Sequence, residues 1–345
     1  MKPFFSIIIP VYNVAPYLRE CLDSLCAQVL TDWEAICVDD GSQDDSGSIL
    51  DEYAKKDARF HIVHKNNEGV SVARNLALSM AVGEYVGFAD ADDALAADWL
   101  IHAQVCISET GADVVRFELQ RWNGSIRNIP KWPSNYAILT DRKELIEWGW
   151  TKYLSGNCGG PCNIFARRNL LSGNAIFPLG MRMKEDRIFL LQILMKTQKM
   201  ICSDYQGYFY RCRNDGACGS RRTVKDVLRY SEEVKKLAVE FQDEINCFGA
   251  TVPFKRAISW TLINDIEELM EQGLFDEWCT NHEIPKHLQD FHRKKLLLLR
   301  YVRPRYYFAV LCATFAGSMK GFAINKKIGM LVRKFRSLYR KTTSI

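Results

Sequence analysis

The chain reads as an α/β protein built on a mostly parallel sheet wrapped by helices. Three observations predict this. Over the first 110 residues, apolar runs of strand length alternate with segments of helical period. The turns between them are short and polar, as strand-helix-strand units require. The conspicuous polar residues fall at the C-terminal ends of the strands, where open parallel sheets bind ligands.

Each element follows from its own residues. Ser6-Ile-Ile-Ile-Pro-Val11 is a continuous apolar run, suited to a strand covered on both faces. Leu18, Cys21, Leu22 and Leu25 then recur at helical spacing within 17–28. Ala35 to Val38 is a second strand, and Asp39-Asp40-Gly41-Ser42 reads as an Asx-type turn with Gly41 at positive φ, leading into a helix over 46–56. A third strand over 60–63, a helix over 70–80, a fourth strand over 85–88 and a helix over 98–108 repeat the pattern. Beyond residue 110 the alternation loosens. The sequence predicts a strand over 114–119, a loop over 120–140 with Pro130 and Pro133, and helices over 142–150, 167–171 and 186–196. From Val224 onward the pattern is mainly helical.

At 345 residues the chain has room for one large α/β domain and a smaller appendage. We place the first at 1–222, with a nucleotide-binding half 1–110 and an acceptor half 111–222, and a helical region at 223–345. The net charge of +5 hides an asymmetry: residues 286–345 hold fifteen Lys and Arg against one acid, Asp290, leaving the remainder acidic. The twelve cysteines are scattered, with no CxxC pair and no histidine at zinc-finger distance, which argues for reduced cytosolic thiols over structural zinc. Phe4 to Ile9, stopped by Pro10, is too short for a signal peptide, and no run of about 18 apolar residues exists to span a membrane.

The most informative segment is Tyr85-Val-Gly-Phe-Ala-Asp-Ala-Asp-Asp93, a strand-like run that ends in three carboxylates. Positions two apart in extended chain point the same way, so Asp90 and Asp92 can face one ligand. Such close acids need relief from a metal, a basic partner or protonation, and oxygen clusters suit Mg²⁺ or Mn²⁺ bridging to phosphates. Alternatively, the segment ends a strand and caps the helix near Asp98. The turn after strand one lacks GxGxxG, and no GxxxxGK[ST] loop exists, so any phosphate has to be held through a metal. Asp39-Asp40 supplies a second acidic pair at a neighbouring strand end, able to accept from a base N–H or a ribose hydroxyl.

Taken together, Ser6-Ile-Ile-Ile-Pro-Val-Tyr-Asn13, Val38-Asp-Asp-Gly-Ser42 with Asp44 and Ser46, Asn67-Glu-Gly-Val-Ser-Val-Ala-Arg-Asn75 and Phe88-Ala-Asp-Ala-Asp-Asp93 resemble family 2 glycosyltransferases of the GT-A fold, of the bacterial surface-polysaccharide type. The resemblance covers roughly residues 3–215. It implies that Pro10, Tyr12 and Asn13 line a nucleotide pocket, that Asp40 beside Asp39 reads a uracil-type base, and that Arg74 lies near base or diphosphate. It makes Asp90, Ala91 and Asp92 a DxD motif, with Asp90 toward the ribose or sugar side of the donor, and Asp92 and Asp90 the ligands of Mn²⁺ or Mg²⁺. Lys184-Glu185-Asp186, about 95 residues further on, resembles the family's catalytic-base motif. Asp186 is the first candidate for taking the acceptor proton and Glu185 the second, against the plainer role of acids at a helix N-terminus. Arg211 or Arg213 would neutralise the leaving diphosphate, with Arg221 and Arg222 competing. Ile164 departs from the lysine that many relatives carry.

The implied activity is an inverting, metal-dependent transfer of a hexosyltransferase type. A sugar moves from a nucleotide diphosphate donor, a UDP-sugar by expectation, to a hydroxyl of a glycan or lipid-linked glycan acceptor. Gln120-Arg121-Trp122 has the wrong spacing for the QxxRW of processive polymerases, so one or a few transfers are expected. Two alternatives are a catalytically silent nucleotide-sugar binder and a metal-dependent nucleotidyltransferase. In the tail, Arg293 to Lys295, Arg300, Arg303 and Arg305 alternate with aliphatic and aromatic residues, a composition suited to an anionic membrane surface and not to nucleic acid. These features predict a cytoplasmic protein peripheral to the inner face of the cell membrane.

Overall fold

A computed structural model of the chain describes residues 2–122, 135–154, 160–171, 176–181, 183–213 and 223–241, with 243 and 247. It divides into two compact units, 1–220 with 237–250 and 221–236 with 251–345. The basic tail, Arg221 and Arg222 lie outside the described residues.

In the first unit, β1 (Phe5–Val11), β2 (Trp33–Asp39), β3 (Phe60–His64) and β4 (Tyr85–Phe88) are parallel, with β1 central between β2 and β4. The helices α1 (Ala15–Cys26), α2 (Ser46–Lys56) and α3 (Val70–Met80) make the crossovers, each burying its apolar stripe; Leu18, Cys21, Leu22 and Leu25 do so on α1. Ile7 lies opposite both Ala35 and Gly87. That register brings the ends of β1, β2 and β4 to one edge of the sheet, so Tyr12, Asp40 and Asp90 follow three adjacent strands.

Beyond β4 come β5 (Ala94–Leu95), α4 (Trp99–Thr110), β6 (Val114–Arg116), β7 (Leu119–Trp122), β8 (Tyr136–Leu139), α5 (Arg142–Leu154), β9 (Ile164–Arg167), α6 (Glu185–Lys196), β10 (Met200–Ser203) and β11 (Tyr208–Arg211). The large sheet has the order β3-β2-β1-β4-β9-β6-β10-β8, and β5-β11-β7 form a small second sheet. This is the expected mixed α/β architecture with a mostly parallel sheet. β9 runs antiparallel to β4 and β6, and β8 antiparallel to β10.

The later half departs from expectation in detail. The single strand expected over 114–119 is two strands in two sheets, and the expected loop over 120–140 contains β8. Residues 164–167, expected just ahead of a helix, form a strand, and only 168–171 coil, as a short 3₁₀ turn. A short apolar run does not by itself distinguish strand from helix, and here pairing with β4 decides. Gly87 makes that pairing tight: a Cβ there would meet the Phe165 ring at 2.7 Å. Phe5, Tyr85, Trp99, Phe117, Phe165 and Tyr208 form the aromatic centre of the core.

In the stretch 223–241, α7 (Val224–Glu240) opens on a capping box in which Thr223 donates its N–H to Asp226 Oδ2 at 2.8 Å and its Oγ1 accepts the Asp226 N–H at 3.2 Å. No helix among the described residues is long and apolar enough to cross a membrane.

Candidate active site

The loop after β1 is fastened to the loop after β2. Asn13, at φ 48°, donates its N–H to Ser42 Oγ (3.0 Å), and its Oδ1 accepts the Gln43 N–H (2.7 Å). The N–H groups of Val14 and Ala15 donate to Ser46 Oγ and Asp44 Oδ2, both at 3.0 Å. Four expected motif positions therefore make one rim. Pro10 is partly buried beneath it, and Tyr12 stands 52% exposed on it.

Asp39 and Asp40 are both buried and both engaged. Asp39 Oδ1 accepts the Ser42 N–H at 2.9 Å, the predicted Asx turn, with Gly41 at φ 76°. Asp39 Oδ2 meets His64 Nδ1 at 3.0 Å, and His64 Nε2 meets Asp51 Oδ1 at 3.0 Å. Burial opposes ionisation of Asp39, but the bonds from Ser42 and His64 outweigh it and hold the carboxyl below its usual range. Asp40 Oδ1 accepts from Lys65 Nζ (2.7 Å) and the Glu68 N–H (3.0 Å), and Oδ2 accepts the Gly69 N–H (2.7 Å). Gly69, at φ 97°, is the N-cap position of α3. Asp40 therefore seats the start of the helix that carries Arg74.

The three acids after β4 separate into three environments. Asp90 Oδ1 accepts from Arg74 Nη2 at 2.9 Å, and Asp92 Oδ2 from Arg213 Nη1 at 3.0 Å; the two side chains are 30% and 27% exposed. Ala91 between them points into the core. Asp93 is 2% exposed and is not the helix cap that its position suggested, since Asp98 stands at the N-cap of α4. Its Oδ2 accepts the Tyr208 hydroxyl and its Oδ1 the Arg211 N–H, both at 2.7 Å. Burial, reinforced by Asp90, pushes the Asp93 carboxyl up to about 8. Burial and Asp90 also push Asp92 up, with Arg213 pulling the other way.

Arg211 Nε donates to the Asp92 carbonyl at 2.6 Å, its Nη2 pairs with Glu20, and its guanidinium lies over the Trp122 and Tyr17 rings at 4.2 and 4.9 Å. Of the two arginines weighed for the diphosphate, Arg211 thus braces the acidic turn from behind, and Arg213 reaches its carboxylate.

Arg74 joins this turn to α6. The residue is 6% exposed, and its Nη1 donates to Glu185 Oε1 at 3.1 Å. Lys184, at φ 64°, precedes α6, so Glu185 and Asp186 occupy the first helical turn. The sides of the two acids differ. Glu185 faces Arg74, whereas Asp186 accepts the Arg187 N–H (2.8 Å) and lies beside Gly160, whose Cβ, if present, would be 3.6 Å from Asp186 Oδ2. Burial pushes both carboxyls up, against the opposing pull of Arg74.

A divalent cation suits these oxygens. Asp90 and Asp92 each have one oxygen on an arginine and stand partly open to solvent, hard donors of the kind Mg²⁺ and Mn²⁺ prefer. Asp90, Asp93 and Cys162 also bring one ligand atom each within 4.8 Å of one another. Both Asp93 oxygens are already bonded and Cys162 is a buried thiol pushed well up by burial, so this second grouping suits a hard cation less well.

Arg74, expected near base or diphosphate, lies on the buried face of α3 with Ser71, Ala73 and Ala77 and meets two carboxylates of the protein itself. Asn75 bonds the Phe177 backbone twice, through Nδ2 to the carbonyl (2.8 Å) and Oδ1 from the N–H (2.9 Å). Lys65 offered no signal, because its partner Asp40 lies 25 residues away.

This fold and site define a GT-A type α/β domain with carboxylates gathered at the strand ends. Residues 6–171 match the family model "Glycosyl transferase family 2", and the chain carries a family 2 glycosyltransferase domain. It is 33% identical over 223 residues to an uncharacterized glycosyltransferase EpsJ of Bacillus subtilis, covering 61% of this chain and 62% of that protein. It is also 33% identical over 215 residues to a poly(ribitol-phosphate) beta-glucosyltransferase of Bacillus spizizenii, covering 61% and 32%. The chain thus spans less than two thirds of either relative. Among solved structures, S. aureus TarS in complex with UDP-GlcNAc superposes with a TM-score of 0.57 at 23% identity, over 87% of this chain and 91% of that one, which shows the shared fold.

Proposed function

We propose that the chain is an inverting, metal-dependent glycosyltransferase of surface-polysaccharide biosynthesis. It transfers one or a few sugars from a nucleotide diphosphate sugar, with UDP-sugars first in line, to a hydroxyl of a glycan or lipid-linked glycan. The observation that carries this reading is the Arg74 bridge, which sets the donor-side acid Asp90 and Glu185 of α6, the neighbour of Asp186 and remote in sequence, on one guanidinium. The family and the named relatives support the donor and acceptor classes.

In this reading Pro10, Tyr12, Asn13 and the Asp39-Asp40 turn frame the nucleotide. Asp92, with Asp90, would hold Mn²⁺ or Mg²⁺, which supplies charge neutralisation for the diphosphate when bound. Asp186 takes the proton of the acceptor hydroxyl as that oxygen attacks the anomeric carbon opposite the leaving nucleotide. Its upward-shifted carboxyl is a stronger base than an ordinary aspartate once ionised. The contact between Arg213 and Asp92 supports Arg213 as the residue that meets the diphosphate. Proposed too is attachment of the basic 286–345 segment to anionic lipid at the cytoplasmic face, where a lipid-linked acceptor would be met.

Thermal stabilisation by a panel of nucleotide sugars with Mn²⁺, followed by product analysis, tests the reading. Release of a nucleoside diphosphate is expected, with D92N abolishing metal-dependent stabilisation and D186N retaining donor binding while losing turnover. Pyrophosphate release from a nucleoside triphosphate would instead identify a nucleotidyltransferase, and binding without turnover a silent binder. Full-length protein that ignores anionic liposomes would sink the membrane proposal.

A further inference from the structure

Two consecutive residues of α3, Arg74 and Asn75, tie that helix to α6 and to Phe177. Arg74 is buried with each terminal nitrogen on a different carboxylate, Asp90 at the end of β4 and Glu185 in the first turn of α6. Asn75, next along α3, closes two hydrogen bonds on the Phe177 backbone. The Phe177 ring stacks on Phe189 of α6 with centroids 3.9 Å apart, and Phe189 meets Phe88 of β4 edge-on at 5.1 Å. The Arg74 guanidinium lies 5.3 Å from that same Phe177 ring. Two consecutive residues of one helix therefore hold α6 at its start and one turn further in.

That start needs holding. Lys184 precedes α6 at φ 64°, a left-handed conformation that a side chain with Cβ adopts only when its surroundings impose it. The Glu185 pairing with Arg74, on the next residue, is a contact able to help impose it.

We propose that Arg74, assisted by Asn75, is a positioning residue that fixes the first turn of α6, and with it Asp186, against the carboxylates at the end of β4. Glu185 is then the partner of Arg74, and Asp186 alone faces the acceptor side. A donor-binding role suits Arg74 less well, since both terminal nitrogens already serve the protein. Consecutive positions in a helix point about 100° apart, which is how two adjacent acids serve two purposes. The catalytic part of this inference rests on Asp186 being the base proposed above.

The test has two arms on the full chain. In hydrogen exchange without ligand, R74M should speed exchange of the 186–190 amides about tenfold or more while α1 and α2 stay at the wild-type rate, and R74K should recover part of the protection. E185Q, which keeps the side-chain size, should act in the same direction, and it decides the matter if R74M fails to fold. Unchanged exchange over 186–190 in folded R74M and E185Q would overturn the proposal. In the second arm, hydrolysis of UDP-glucose, UDP-galactose and UDP-N-acetylglucosamine with Mn²⁺ is followed. R74M and E185Q should each lower kcat about 10- to 100-fold with KM within about twofold, the double variant should be no worse than either, and R74K should recover part of the rate. A raised KM at unchanged kcat would overturn it in favour of donor binding. Full turnover by D186N would instead remove the base assignment and leave the exchange result standing.

Discussion

Tyr208 donates its hydroxyl to Asp93 at 2.7 Å and accepts the Asp90 N–H at 2.9 Å, so one buried phenol fixes both ends of the acidic turn. Removing that oxygen leaves a buried carboxyl short of a donor and a backbone N–H without an acceptor. An unsatisfied buried polar group costs about 1–3 kcal/mol. Y208F is therefore expected to lose about 2 kcal/mol in urea denaturation and to weaken Mn²⁺-dependent binding of sugar nucleotides. Wild-type stability in Y208F would show that the arginines on the turn hold it without the Tyr208 hydroxyl.

Asp93 gives the protein a pH signature. Its carboxyl is pushed from the usual 3.8 to about 8 in the fold, so the fold favours the protonated form. The associated stability is complete below the unfolded value and is lost as pH rises through the folded one, that is, between about 4 and 8. D93N is neutral throughout and can still accept the Arg211 N–H. Plotted against pH, the Tm of D93N minus that of wild type should climb across this window and then level off. Parallel curves would mean that Asp93 titrates in the ordinary range.

His64 shows a raised pKa for the opposite reason, since Asp39 and then Asp51 stabilise its charged form against burial. A raised histidine contributes stability below the ordinary 6.5 that fades as pH rises through the folded value. Comparing H64Q with wild type should reveal a Tm deficit at about pH 5.5 that disappears by about pH 8.5. The ring is about half exposed, so the deficit should be small, about 1–3 °C, and should shrink in high salt. A deficit independent of pH would assign His64 a packing role only.

Gly41 tests the loop proposed to frame the nucleotide. At φ 76° with a backbone nitrogen of Asn67 only 2.8 Å from where a Cβ would be, alanine meets both backbone strain and a clash. G41A should cost about 2–3 kcal/mol, seen as a lower denaturation midpoint. Donor-induced stabilisation should fall with it, because Asp40 and Asn67 share this turn. Unaltered stability would mean that the two loops part readily.

The parts of the fold legible in the sequence are those made by local patterns. The helices 46–56 and 70–80 and strand 85–88 have their expected bounds, because periodic apolar residues and Gly or Asp turns punctuate each one. The strands β7, β8 and β9 were misread or unseen because each is four residues long and is stabilised by partners far away in the chain. In the site, the spacing of Asp90, Asp92 and Asp93 was visible, but their separation was not. Alternation puts Asp93 opposite Asp92; only Tyr208 and the Arg211 backbone explain why it is buried. The Arg74 bridge was equally out of reach, since it joins residues 111 positions apart.

Asp40 carries a lesson for reading relatives of this chain. Its carboxylate is committed to Lys65 and to the two amides that begin α3, so replacing it disturbs the fold before it disturbs any ligand. A descendant that had abandoned sugar transfer would still be under pressure to keep it. The Asp92 carboxylate, partly open and bonded within the described residues to Arg213, carries no such obligation. Across diverging lineages the two aspartates should therefore decay at different rates, with Asp40 a marker of ancestry and Asp92 a marker of continued employment.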